Sequence, residues 1–376
     1  MTMRSIPFHL LCAAALAVTV VGCRAAASAP VPQVPAGFKI EVWADGLDGA
    51  RSMALGDKGT VFVGTRKGSK VYAIPVRDGR AGTPKPIGNG LNQPNGVAFH
   101  DGALYVAEID RITRYADIES KLDAPPQPQV IRKDLPTETH HGWRYIAFGP
   151  DGKLYLPIGA PCNVCEPETF TREGAALQYG SITRMNADGS GWELIARGVR
   201  NSVGYDWNPR TKQLWFTDNG RDMLGDDVPS DELNRLTTIG EHFGFPYCHQ
   251  GDIADPDFGK THPCKDFTPP IDKLGAHVAA LGLHFYTGKQ FPAAYRTTAL
   301  IAEHGSWNRS SKVGYRVVAV TLDGDVVTGE KTLVDGFLDG EQVSGRPVDL
   351  LQLPDGSILI SDDFGNRIWR LSYKGA

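Results

Sequence analysis

Apolar and polar residues alternate along this chain in short runs, and the runs recur around a glycine or aspartate–glycine turn. "MALGDKGTVFVGT" (53–65), "GVAFHDGALYVAE" (96–108) and "YIAFGPDGKLYLPIG" (145–159) show the unit most plainly. It returns as "YDWNPRTKQLWFTDNG" (205–220) and "LLQLPDGSILISDDFGNRIWRLSY" (350–373), and a less regular copy runs from "LGLHFYTG" to "ALIAEHGSWN" (281–308). Period-two alternation on both sides of such a turn predicts a β-hairpin. Successive strand side chains point to opposite faces, and Gly and Asp accept the turn's positive φ. Outside the N-terminal segment no run with the 3.6-residue period of a helix competes.

Hairpin copies following one another at about 40 to 75 residues predict a β-propeller, whose blades bury their faces against their neighbours. At roughly 50–60 residues per blade the chain accommodates six, so the expected class is all-β, a six-bladed propeller of four-stranded antiparallel blades. A sandwich or jelly roll has no use for five or six copies of one hairpin. Ring closure is expected between "FKIEVWADG" (38–46) and the C-terminal "RIWRLSY" (367–373).

The N-terminus breaks the pattern. Arg4 precedes an apolar run from Leu10 to Val21 and then "VVGC", ending at Cys23. The run is short for a membrane span and reads as an export signal. A small residue before cysteine resembles the lipobox of bacterial lipoproteins, with Cys23 as the lipidated first residue; an ordinary signal peptide cut at an alanine of "CRAAASA" is the alternative. The expected organisation is a signal peptide over 1–22, a flexible proline-rich tether over 23–36 and the propeller over 37–376, in an exported, periplasmic protein.

Composition narrows the function. With 41% hydrophobic and 22% charged residues, 43 glycines and 26 prolines, the chain is globular and too turn-rich for a helical bundle. A net charge of −4 supplies no global field for nucleic acid or anionic lipid, which leaves a small, neutral partner. Beyond Cys12 and Cys23, the four cysteines 162, 165, 248 and 264 read as disulfides in an exported chain. Three pairings are possible; Cys162–Cys165 with Cys248–Cys264 is the most local. Glu166 stands where a c-type haem motif needs histidine, and Cys248 and Cys264 are too far apart for the second close pair of a four-thiolate zinc site.

In a propeller, functional side chains belong at the ends of the repeated strands. Polar clusters stand there: "LNQPNG" (91–96), "THHGWR" (139–144), "ARGVRNSVG" (196–204), "DNGRDMLGDD" (218–227), "EHGSWNR" (303–309) and "SGRPVD" (344–349). With "HHGWRYIAFGPDGKLYLPIG", "GVRNSVGYDWNP", "SDELNRL…HFGFPYC" and "GRPVDL…PDG", in this order and spacing, residues 35–373 resemble the soluble quinoprotein sugar dehydrogenases, close to the L-sorbosone and glucose dehydrogenases that carry pyrroloquinoline quinone (PQQ).

The resemblance implies hydride transfer from a sugar or sugar-derived aldehyde or alcohol to a Ca²⁺-polarised quinone, with a histidine as base. The family's base stands four residues before an arginine, which here points to His140 with Arg144 as the marker; His141 becomes its structural neighbour or a substrate-lining side chain. Arg200 and Asn201 match the pair beside the cofactor, Arg200 stabilising charge on the reduced quinone. Arg346 matches an arginine for a cofactor carboxylate. Val348 stands where the glucose-dehydrogenase pattern has a second arginine, and Arg309 or Lys312 is the expected substitute. For Ca²⁺ the matching run is Asn219-Gly220-Arg221, through the backbone carbonyls of Gly220 and Arg221, with Arg221 replacing the pattern's proline; Glu232 is a candidate for a second, structural calcium. Gln93, Asn95 and Asn163 are candidate substrate-lining residues, and a disulfide around Asn163 would clamp the loop over the pocket.

Without a haem motif, reducing equivalents would leave to an external cytochrome or quinone. Two other readings stay open: a metal-dependent hydrolase of the lactonase type, and a non-catalytic lipoprotein propeller that binds carbohydrate or scaffolds an envelope complex.

Overall fold

The computed structural model describes Met1 and residues 31–167, 169–172 and 175–375. The rest of the expected signal segment, Cys23 and the tether as far as residue 30 lie outside the described residues. Among the described residues no helix is long and apolar enough to cross a membrane.

Six antiparallel blades form the chain, in sequence order. Their first strands, one from each repeated unit, are Ala50–Leu55, Gly96–His100, Ala147–Phe148, Tyr205–Trp207, Ala280–Phe285 and Pro347–Gln352. The less regular copy is blade five, continuing through Ala299–Glu303, Arg316–Asp323 and Val326–Val334. Two blades exceed four strands: Arg80–Ala81 and Lys85–Ile87 share the outer edge of blade one, and Glu241–His242 adds to blade three in parallel with Glu193–Arg197. The predicted turns form as written. Asp101 and Gly102, at φ 46° and 72°, make the two-residue turn between Gly96–His100 and Ala103–Ala107.

Ring closure follows the expected pairing. Phe38–Asp45 is the outer strand of blade six, running antiparallel to Arg367–Tyr373 with Phe38 opposite Tyr373. At the end of the expected tether, Gln33 pairs with Asp335 through two backbone hydrogen bonds of 2.7 and 2.9 Å and Val34 packs against the apolar cluster between blades five and six.

Second strands such as Thr60–Thr65 and Leu154–Ile158 are buried along their whole length, because each blade is covered on both faces. Six apolar clusters lie one at each blade–blade interface. The ring is therefore held face to face, each blade completing its neighbour's core. Backbones also approach closely: a Cβ on Gly204 would fall 2.0 Å from the Leu281 carbonyl oxygen, so no larger residue fits there without moving a blade.

Trp43 shows how closure is secured. It belongs to the cluster between blades six and one, and its Nε1 donates to the Gly79 carbonyl at 2.9 Å. Trp43→Ala is expected to cost about 3–5 kcal/mol of stability in urea denaturation, the range for emptying a buried tryptophan site. Trp43→Phe should lose only about 1 kcal/mol, mostly the hydrogen bond.

Candidate active site

Antiparallel pairing sets the beginning of each first strand beside the end of the second. Ala50 lies opposite Thr65, Ala280 opposite Glu303 and Pro347 opposite Asp362. Loops leaving and entering these strands therefore meet at one end of the ring, around a cavity of about 370 Å³. Val203, Leu281 and Val348 make a small apolar cluster, and the first two also line the cavity.

Seven of the sequence-derived candidates line this cavity: His140, His141, Arg200, Asn201, Asn219, Gly220 and Arg346. The two histidines stand with ring centroids 4.0 Å apart. His141 sits in a left-handed turn, φ 49°, and its Nδ1 meets the Ala160 carbonyl at 2.9 Å. Gly159 lets it fit, since a Cβ there would lie 2.6 Å from the His141 Cβ. Burial, with Arg200 and His140 adding to it, pushes His141 down to about 2, so that its ring stays neutral. His140 is exposed to the cavity, with the Cys162 backbone beside its ring; burial and then Arg200 lower its pKa from 6.5. Both rings are uncharged at neutral pH. Arg144, by contrast, is a structural residue: fully buried, it donates to the Ile109 and Pro136 carbonyls at 3.1 Å each and shapes the loop that carries the histidines.

Arg200 is clamped from several sides. Its Nε and Nη2 donate to the carbonyl and Oδ1 of Asn163, both at 2.8 Å, its Nη1 to the Asn219 carbonyl at 3.1 Å, and its Nη2 pairs with Asp222 at 3.0 Å. The backbone N–H groups of Arg200 and Asn201 donate to the two oxygens of Asp218 at 2.8 and 2.6 Å. The Asn201 carboxamide has no protein partner among the described residues. Arg346 donates to the His304 and Gly305 carbonyls at 3.0 and 2.7 Å and lies 5.4 Å from the Tyr315 ring.

The remaining candidates fall outside the lining. Gln93 accepts from Trp143 Nε1 at 3.0 Å and so supports a wall residue. Asn95 is buried, taking Arg51 Nε at 2.8 Å and donating to the Arg144 carbonyl at 2.9 Å; these bonds leave it no role in the lining. Asn163 stands behind Arg200. Arg221 is buried with its guanidinium on Asp255, which also meets His249 at 2.9 Å. Glu232 is buried opposite Asp218 across two strands; burial raises both carboxyls, with Asp218 adding to the rise at Glu232 and Asp231 to that at Asp218. It accepts from Gln250 N–H at 2.7 Å and Asn234 Nδ2 at 2.9 Å, while the buried Asn234 Oδ1 lacks a donor.

The extra cations differ from those expected. Arg309 is held by the Asp226 carbonyl and the Asp227 carboxylate, and Lys312 by Glu341 at 3.0 Å, so both are neutralised away from the cavity. Arg51 and Arg66 line it instead. Arg51 pairs with Asp363 at 3.0 Å, and His304 meets the other oxygen of that carboxylate at 2.8 Å. Arg66 lies over the Trp143 ring at 4.0 Å, its pKa lowered by burial and by the neighbouring Arg51 and Arg346. Among the described residues neither Arg66 nor Arg346 has a carboxylate partner. Both residues of the pair missed in the sequence flank the first repeated hairpin, at the strand ends where the other blades carry their polar clusters.

Both predicted disulfides are present, Cys162–Cys165 and Cys248–Cys264. Each lies in an insertion, the first between strands Leu154–Ile158 and Ser181–Met185, the second between Ser230–Arg235 and Asp272–Ala276.

A family model, TrAA12-like, matches residues 32–335. A protein of Borreliella burgdorferi described only as uncharacterized is 36% identical over 358 residues, 91% of each chain. The PQQ-dependent sugar dehydrogenase of Hypocrea jecorina is 22% identical over 326 residues, 74% of each chain. Among solved structures, the Trichoderma reesei enzyme of carbohydrate-active family AA12 shares the fold with a TM-score of 0.79 at 21% identity, over 92% of this chain and 98% of that one. The holo PQQ domain of the Coprinopsis cinerea pyranose dehydrogenase does so at 0.74 and 18%, over 91% and 97%. The chain belongs to the TrAA12-like family of PQQ-dependent sugar oxidoreductases.

Proposed function

We propose that this protein oxidises a sugar or a sugar-derived aldehyde or alcohol, with PQQ held in the mouth cavity and His140 as the base. The observation that carries this reading is the charge of the wall: Arg66 and Arg346 without carboxylate partners beside uncharged histidines. Unpaired guanidiniums repel one another and are costly to desolvate, and a planar anion with several carboxylates relieves both terms. The named relatives support the choice of anion.

In this reading Arg346 and Arg66 hold carboxylates, Arg51 and His304 fix that wall through Asp363, and Asn201 offers an amide to a cofactor oxygen. Bound PQQ supplies the electrophile that accepts hydride. His140 takes the hydroxyl proton of the substrate, its imidazole uncharged and open to the cavity. Arg200 stands by to balance negative charge where it develops. The carbonyls of Gly220 and Arg221 are the proposed Ca²⁺ ligands, and Glu232 with the partnerless Asn234 Oδ1 a second cation position. A calcium structure of the Trichoderma reesei enzyme supports the ion. The lactonase-type reading gains nothing here, because Asp222 is committed to Arg200 and Asp231 to the Gly220 and Ala280 N–H groups. The signal-like N-terminus supports export and lipid attachment at Cys23, with electrons passed to an external acceptor.

Adding PQQ and Ca²⁺ to the purified protein should give dye reduction with at least one member of an aldose and aldehyde panel. Absence of PQQ binding at every calcium concentration would reject the reading in favour of a binding module. The pH profile carries a second expectation. A base works only when deprotonated, and His140 titrates below its ordinary 6.5, so kcat/KM should climb to a plateau with a midpoint under that value.

A further inference from the structure

The short ring closed by Cys162–Cys165 packs against the candidate active site. Ala160, just before the ring, offers its carbonyl to His141 and donates its N–H to the Arg200 carbonyl at 2.8 Å. The Cys162 backbone lies beside the His140 ring. Asn163 holds Arg200 through both its backbone and side-chain oxygens, and its amide is locked in turn by Asp222: Oδ1 accepts from the Asp222 N–H at 2.8 Å and Nδ2 donates to the Asp222 carbonyl at 3.1 Å. Asp222 then closes the circuit on Arg200. No ladder partner orders residues 159–167, which belong to no strand. A three-residue sequence separation also restrains the unfolded chain less than the sixteen-residue separation of Cys248–Cys264. The shorter bridge therefore matters chiefly to local geometry.

We propose that the Cys162–Cys165 ring is the positioning element of this active site: Asn163 sets the Arg200 guanidinium, Arg200 and the Cys162 backbone border the His140 ring, and the disulfide keeps the two in register. The proposal rests on the roles given above to His140 and Arg200. Asn163 acts through Arg200 and is a positioning residue.

The test uses the full chain and two readouts. In PQQ-free protein, the His140 ring is titrated by NMR in the wild type, in the Cys162→Ser/Cys165→Ser pair and in Asn163→Ala. The charged groups facing this ring are Arg200 and Asp222, with His141 beside it. Releasing the Cys162 segment or letting Arg200 move should shift the midpoint by about half a unit or more. In PQQ-loaded protein, both variants should lose about tenfold or more in kcat with little change in sugar KM, as misorientation does. Asn163→Asp, which keeps an acceptor for Arg200, should recover part of that loss. An unchanged His140 midpoint in the serine pair overturns the proposal whether or not PQQ binds; if that pair fails to fold, Asn163→Ala decides by the same titration. Failure of the functional reading looks different: the wild type binds no PQQ while the midpoint still shifts.

Discussion

His140→Ala lowers kcat by about 10²–10⁴-fold, the usual contribution of a positioned general base, and leaves the sugar KM close to the wild-type value. The size follows from how few groups near the substrate can take a proton. His141 stands beside His140, ring centroids 4.0 Å apart, but burial holds that imidazole so low, at about 2, that it is a poor proton acceptor. His304 is pushed to about 4 by burial, and its Nε2 is engaged by Asp363. His141→Ala should consequently cost less turnover, and added imidazole should restore part of the activity of His140→Ala. Steady-state kinetics on the reconstituted protein check both. Full activity in His140→Ala with its loss in His141→Ala would exchange the two roles.

The second large effect belongs to the cofactor. Arg346→Ala is expected to weaken PQQ binding by about ten- to a hundredfold, since hydrogen bonds to charged groups contribute about 1.5–3 kcal/mol each. Its guanidinium is aimed by two backbone carbonyls and, among the described residues, has no carboxylate paired with it, which leaves its charge for a ligand. Arg346→Lys should recover only part of the affinity, because a point charge lacks the planar fork that matches a carboxylate. Arg66→Ala should move affinity the same way. Arg309→Ala should leave it near the wild-type value, given that Asp226 and Asp227 hold that side chain away from the cavity. Titration of PQQ into apo-protein by fluorescence quenching measures all four.

The contrast between Arg66 and Arg309 shows where sequence reading stops. Arg309 stands in the polar cluster "EHGSWNR" and is the expected substitute for the arginine missing at Val348, whereas Arg66 belongs to none of the polar clusters. Only the closed ring distinguishes them: one loop leans over the mouth beside Arg51 and Arg346, while the other folds back onto Asp226 and Asp227. Val348 is similar. A missing arginine by motif, it is buried with Val203 and Leu281, and the charge it lacks arrives from blade one instead.

Hairpins, blade number, ring closure and the ends of the strands that carry chemistry were all determined by the sequence. Each depends on local periodicity and turn residues, which a linear chain displays directly. The tertiary structure alone decided which charges meet. Arg51 and Asp363 are 312 positions apart and become a 3.0 Å pair only when blade six closes on blade one. The assignment of Asn163 to Arg200 rather than to substrate was decided in the same way, by a contact between two loops 37 positions apart that no spacing encodes.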